Sequence, residues 1–277
     1  MIKKLAAVSF VLVLGVTTLL ADSNGPLDQV ANVVSSDGVG ETILFPVAGS
    51  VEGINGTFFR SEVTLANFKN EDQEVLVEFL EQGATVPFTA VRLTLEAGRF
   101  YYWENFVGTF LNRNGKLGSL RIRAVNTGST VTDTTAQLNG FSRIYTEQPN
   151  GPGTSSMALA AIDETDLGSL GLAAAYVLGA RQDAQYRTNV GIVNLATVDR
   201  VFLVEPKVTF GSNPAGFTVT VPARSMQQVK LPDGTFGGVA VKITPATEGP
   251  WSAYAASVDN QSGDGWISKA QYSTRQP

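Results

Sequence analysis

Two stretches of this chain repeat one another, and that repetition constrains the fold more than any other feature. Residues 58–68 read FFRSEVTLANF and residues 185–195 read QYRTNVGIVNL. Arg60 and Arg187 stand 127 positions apart, and the same offset places Val63 on Val190, Leu65 on Ile192 and Asn67 on Asn194. It carries into the next segment, where VLVE (75–78) falls on FLVE (202–205). VRLTLEAG (91–98) pairs with FTVTVPAR (217–224) after a one-residue loop change, and LRIR (120–123) resembles VKIT (241–244). A unit of more than a hundred residues written twice implies duplicated domains rather than a short-period solenoid.

Each copy is a series of short alternating runs. Strands are expected near 42–48, 57–67, 73–81, 86–95, 98–103, 117–125 and 135–146. In the second copy they fall near 173–178, 185–194, 199–210, 216–222, 224–231, 237–244, 250–259 and 266–273. Val, Thr, Phe, Tyr and Ile fill these runs, and Gly, Asn, Asp and Pro separate them. Many short strands without a long helix give an all-β fold of two tandem antiparallel sandwiches. One helical turn is expected in WENFVGTF (103–110), where Phe106 and Phe110 stand i, i+4.

The chain divides accordingly. Lys3 and Lys4 precede an uncharged apolar stretch, Leu5 to Leu20, and small Ala21. Residues 1–21 are therefore read as a secretory signal peptide, with a membrane anchor as the competing reading. Residues 22–41 form a soft N-terminal segment, residues 42–146 the first sandwich, 147–172 a linker opened by Pro and Gly, and 173–277 the second sandwich.

Composition excludes much chemistry. The chain has no Cys and no His. That removes Ser-His-Asp and Cys-His catalysis and the usual zinc sites. Phosphate-binding and nucleophile-elbow motifs are missing as well. What remains is a glycosidase-type carboxylate pair or calcium held by oxygen ligands. The net charge is −5, and −7 once Lys3 and Lys4 leave with the signal. A nucleic-acid partner and docking on anionic lipid are both disfavoured. Without its signal the chain is not expected to be an integral membrane protein.

GARQDAQYRTNVGIVNLA, SAYAASVDNQSGD and FSRIYTEQPNGPG resemble the tandem β-sandwich repeats of uncharacterised secreted bacterial proteins. The resemblance spans about residues 42–273. It implies a pair of immunoglobulin-like sandwiches, exported, with no catalytic residues to carry over. The first copy departs from the pattern, with Ser61-Glu62 where the second has Thr188-Asn189 and no visible counterpart of Asp259-Asn260.

The candidate sites follow. Strand alternation puts Arg187, Asn189 and Gly191 on one face. Arg187 is expected to grip Asp259 and tie the DNQSGD turn to the sheet, its alternative role being an anion site. Asp259 and Asp264 are the candidate calcium ligands, against a hairpin turn in which Asp and Asn bond their own backbone. In RFYYWENF (99–106), Tyr101 and Trp103 are the candidate ligand or partner surface, against a core or interdomain role. IDETD (162–166) reads as a solvated linker or helix start, and Glu71, Asp72, Glu74 and Glu78 as a polar strand face. No catalytic residue, metal or cofactor is assigned, apart from calcium as the weaker alternative. The expected role is a non-catalytic structural or adhesive protein, secreted or on the cell surface, with a protein or glycan partner or a second copy of itself. The alternatives are a filament subunit that adds residues 22–41 as a strand to a neighbour, and a carbohydrate-binding module.

Overall fold

The computed structural model describes residues 40–54, 56–86, 90–148, 151–167, 174–208, 212–234 and 236–272. Residues 1–21, read above as a signal peptide, nearly all of the N-terminal segment and the C-terminal residues 273–277 lie outside these. No helix among the described residues is long and apolar enough to cross a membrane.

The protein is all-β, with antiparallel strands in two sheets. The first half contains β1 (Thr42–Glu52), β2 (Phe58–Asn67), β3 (Gln73–Glu81), β4 (Ala90–Leu95), β5 (Phe100–Trp103), β6 (Lys116–Val125), β7 (Leu138–Glu147), β8 (Thr154–Ala160) and β9 (Ile162–Asp163). The second contains β10 (Ala175–Gln182), β11 (Tyr186–Asn194), β12 (Arg200–Val208), β13 (Phe217–Val221), β14 (Ser225–Lys230), β15 (Phe236–Pro245), β16 (Trp251–Asp259) and β17 (Gly265–Tyr272).

The two halves pair their strands in the same way. In the first, β4-β3-β6-β1 makes one limb and β5-β2-β7-β8 the other. In the second, the limbs are β13-β12-β15-β10 and β14-β11-β16-β17. β8 runs along β7 and continues as β9 along β1. β17 likewise starts along β16 and ends along β10. An irregularity falls in β1 between Phe45 and Ala48 and in β10 between Val177 and Ala180, opposite matching positions of β6 and β15. Such bulges bend the strand so that it can serve both limbs.

Asn67 and Asn194 repeat their bonds as well as their register. Asn67 Nδ2 donates to the carbonyls of Glu71, Leu95 and Glu96 at 2.8, 3.1 and 3.3 Å, and its Oδ1 accepts from Lys69 N at 3.0 Å. Asn194 Nδ2 donates to Val198, Val221 and Pro222 at 2.8, 3.1 and 3.0 Å, and its Oδ1 accepts from Ala196 N at 3.0 Å. Both side chains are fully buried. Each satisfies loop carbonyls that would otherwise be orphaned under a strand end. The turns after β4 and after β13 each use a left-handed residue, Gly98 at φ 60° and Arg224 at φ 51°.

Each half has its own core between the limbs. Ile43, Phe45, Val63, Leu65, Val77 and Ile122 lie in the first. Val177, Val190, Ile192, Phe202, Val241 and Trp251 lie in the second. The expected helical turn is a π-helical one, Phe106–Phe110, capped by Asn105 Oδ1 accepting from Gly108 N at 3.0 Å. Phe106 and Phe110 lie 4.8 Å apart there, closing one end of the first core.

The segment 147–172 differs from the linker expected of it. Thr154–Ala160 completes a limb of the first half, and Ile162–Asp163 pairs with β1. The pattern was hidden because SSMALAA is made of small residues, with Met157 and Leu159 as its only large apolar contacts. Those two do not face solvent. With Val47 and Ile144 they pack against Tyr254, Ala256 and Val258 of the second half. A second cluster joins Leu44, Leu80 and Leu167 to Val193, Leu195 and Met226. Backbone joins the halves too, Gly83 N donating to Met226 O at 2.9 Å. Ser225 Oγ donates to Glu81 O at 2.7 Å. Linked halves see one another at an effective concentration near ~1 mM, so about 4 kcal/mol of contact free energy is enough to hold them half-closed. Two or three buried aliphatic side chains supply that, at about 1.5–3 kcal/mol each, and the clusters hold many more. The halves therefore form one body.

Candidate functional site

A cleft of about 360 Å³ opens where the halves meet. The end of β1 and the start of β2 form one wall, with Val51, Ile54 and Phe59. Ile144 and Met157 floor it, and Val258 and Ile267 close the other side. Polar atoms come from Arg187, Asn189, Gln228 and Glu52. Arg187 and Asn189 reach it because β11 turns its odd-numbered residues away from its own core, while Thr188, Val190 and Ile192 point inward.

Arg187 does not pair with Asp259. Its Nη1 donates to Asn260 Oδ1 at 2.9 Å. The reason is register. Arg187 lies opposite Val258, and Tyr186 lies opposite Asp259. A strand alternates faces, so Asn260, two residues beyond Val258, shares the arginine's side and Asp259 does not. The first half has the same geometry. Arg60 lies opposite Tyr145, and its Nη1 reaches Glu147, two residues on, at 3.4 Å. Glu147 is thus the counterpart of Asn260 that the sequence comparison did not find, because the loop lengths before β7 and β16 differ. The twin arginines do the same thing with different partners, a carboxylate in one and a neutral amide in the other. Burial depresses the Arg187 pKa, opposed by the charge of Asp259.

Asp259 instead organises its own turn. Its Oδ1 accepts from Gln261 N at 2.7 Å and Ser262 N at 2.9 Å, and its Oδ2 accepts from Gln185 Nε2 at 3.0 Å. These bonds, led by that from Ser262, hold its pKa down at about 2. Asp264 meets Asp259 through the backbone, its carbonyl accepting from Asp259 N at 2.7 Å. No group of three or more His, Cys, Asp or Glu that could hold a metal ion occurs among the described residues.

Tyr101 and Trp103 also lie elsewhere than a surface platform would require. They stand opposite Leu65 and Val63, which are core residues, so they face inward and pack on the first core. Trp103 meets Phe106 edge-on at 5.0 Å. The exposed aromatics of this limb are their neighbours Tyr102, 36% exposed, and Phe141, 46% exposed. Both lie opposite Thr64 on the outer face, beside the two-bond pair of Arg143 with Glu62, each bond 2.6 Å. Burial and the Glu62 charge push the Tyr102 hydroxyl up to about 12.

The acids of β3 are paired with cations. Glu78 is buried and meets Arg121 at 2.7 Å, with Arg123 at 3.8 Å and Arg224 of the second half at 3.9 Å. Glu164, from the IDETD cluster, binds the same Arg121 through Nε at 2.5 Å and Nη2 at 2.7 Å. Burial alone would lower the Arg121 pKa, and its two carboxylates outweigh that and raise it. Glu78 and Glu164 thus share Arg121 in one ion-pair network, which Arg123 and Arg224 extend.

No family model, curated protein or solved structure matches the chain.

Proposed function

We propose that this is an exported, non-catalytic structural or adhesive protein, acting at the cell surface or outside the cell. It is built from two duplicated immunoglobulin-like β-sandwiches, residues 1–21 being its export signal. The observation that carries this reading is the face-to-face union of the halves. A block whose halves pack on one another suits a protein that transmits load or presents a fixed surface. The matched strand pairings and the twin asparagines support duplication, and the lack of His and Cys supports a role without acid–base or nucleophilic catalysis. The test is to express the full chain in an exporting host, read the mature N-terminus by mass spectrometry, and screen the product on glycan and matrix-protein arrays. The reading expects cleavage after Ala21, a monomer, and retention on at least one surface partner. A mature chain that keeps its leader, or hydrolyses the arrayed glycans, would overturn it.

One observation favours carbohydrate as the partner. Tyr102 and Phe141 present exposed rings on one strand face, beside the hydrogen-bonding groups of Thr64, Glu62 and Arg143. Apolar sugar faces stack on such rings. Retention on a glycan array that is lost in Phe141→Ala would support this form of the proposal. The filament alternative rests on residues 22–41, of which only Gly40 and Glu41 are described, Gly40 bridging to Leu138. That alternative requires a concentration-dependent oligomer that disappears when residues 22–39 are removed.

A further inference from the structure

We propose that the cleft between the halves binds a small amphiphile, its anionic head held by Arg187 and its unbranched aliphatic tail laid between the halves. The twin arginine supplies the comparison. Arg60 has a carboxylate at the matched position, Glu147, and stacks on the Phe58 ring at 5.1 Å. Arg187 has the amide of Asn260 there and makes one hydrogen bond with a fork of five donors. A half-buried guanidinium carries unspent donors, and a carboxylate or phosphate takes them two at a time. Asp259, whose charge acts on it, is engaged by its own turn.

The rest of the cleft fits a tail. Val51, Ile54, Phe59, Ile144, Met157, Val258 and Ile267 offer branched aliphatic, thioether and aromatic surface. Among its polar groups, the Gln228 carbonyl already accepts from the Tyr254 hydroxyl at 2.7 Å. Most of the lining side chains are apolar, with Arg187, Asn189, Gln228 and Glu52 as the polar ones. The size, about 360 Å³, is that of a small-ligand site and too small for a folded partner. This inference does not depend on the export or adhesion reading, and its test involves neither.

Octanoate, octyl phosphate and 1-octanol are titrated calorimetrically into the purified chain, with methyl spectra of Ile144, Ile267 and Met157 recorded alongside. Octanoate, octyl phosphate or both should bind one to one and move those methyls, and should bind at least about tenfold more tightly than the alcohol. Carboxylate and phosphate arms then show which head is preferred. Asn260→Glu recreates in the second half the ion pair of Arg60 with Glu147. It should leave the fold intact and weaken anion binding at least about tenfold, as should Arg187→Gln. Arg60→Gln should change nothing. Failure of both anions to bind at millimolar concentration would overturn the proposal. So would undiminished binding by Asn260→Glu, or an equal loss in Arg60→Gln.

Discussion

The outer face of β11 and β16 in the second half lies closed under the first half, whereas the matching face of β2 and β7 in the first half lies open. The residues at matched positions show how the difference is written. Where the open face has Thr64, Glu62, Phe141 and Arg143, the closed face has Gly191, Asn189, Tyr254 and Ala256. The ion pair of Glu62 and Arg143 has been replaced by residues without charge. Burying a charged pair costs several kcal/mol per ion before any attraction is recovered, so a face to be covered is better without one. Gly191 allows the Tyr254 ring to lie flat across the strand, since a Cβ there would come within 2.0 Å of it. The ring is fully buried, which raises its hydroxyl pKa, and Gln228 accepts its proton at 2.7 Å. One strand design thus serves as an interior surface in one half and an exterior surface in the other.

Reciprocal substitution is the strongest way to break this comparison. Gly191→Thr installs the first half's residue in the closed face and must displace a buried ring. It should cost about 3 kcal/mol or more in denaturant unfolding, at or above the upper end of ordinary overpacking. Thr64→Gly makes the opposite exchange on the open face and should cost about 0.5–1 kcal/mol, the penalty for glycine in a strand. Equal costs would mean that the two faces are not differently packed.

The asparagines sharpen the comparison from the other side, because there the halves agree. Asn67→Ala and Asn194→Ala each orphan several buried loop carbonyls, and each should lower stability by about 3 kcal/mol. The two losses should match within roughly 0.5 kcal/mol. A loss confined to one half would show that equal bonds do not carry equal weight.

Much of this was legible in the sequence, and what was not has identifiable causes. The strands and their repetition were readable because alternation and the 127-residue offset do not depend on how the halves dock. β1 and β16 were recognised as strands but not as strands buried on both faces. TILFPVAGS is a near-continuous apolar run, the usual mark of double burial. WSAYAASV conceals the same condition behind alanine and serine. The Arg187 partner was missed by one residue, since choosing the unmatched acid at the end of the late strand ignored the face alternation that the pairing of Arg187 with Val258 imposes. Tyr101 and Trp103 were separable from Phe100 and Tyr102 by alternation. Which pair turned inward depended on β5 pairing with β2, a contact of residues far apart in sequence.

Smaller effects are expected on the open face and in the turn. Arg143→Ala removes a partly exposed ion pair and should cost no more than about 1 kcal/mol, falling further with salt. Asp259 has a folded pKa of about 2, below the unfolded value near ~3.9. Its contribution is therefore fully present above pH ~4 and is lost as the pH falls through about 2. The melting temperatures of the wild type and Asp259→Asn should differ above that window and converge at its acid end. A constant difference across it would detach the turn from the carboxylate.

The central claim is that the second half's closed face makes the two halves one rigid body. Backbone ¹⁵N relaxation of the chain from residue 22 onward measures this directly, by comparing the rotational diffusion of amides in β2, β3 and β6 with those in β11, β12 and β15. The account predicts one common diffusion tensor for both sets, with the elongation expected of two joined halves. Two separate and faster correlation times, one for each half, would contradict it.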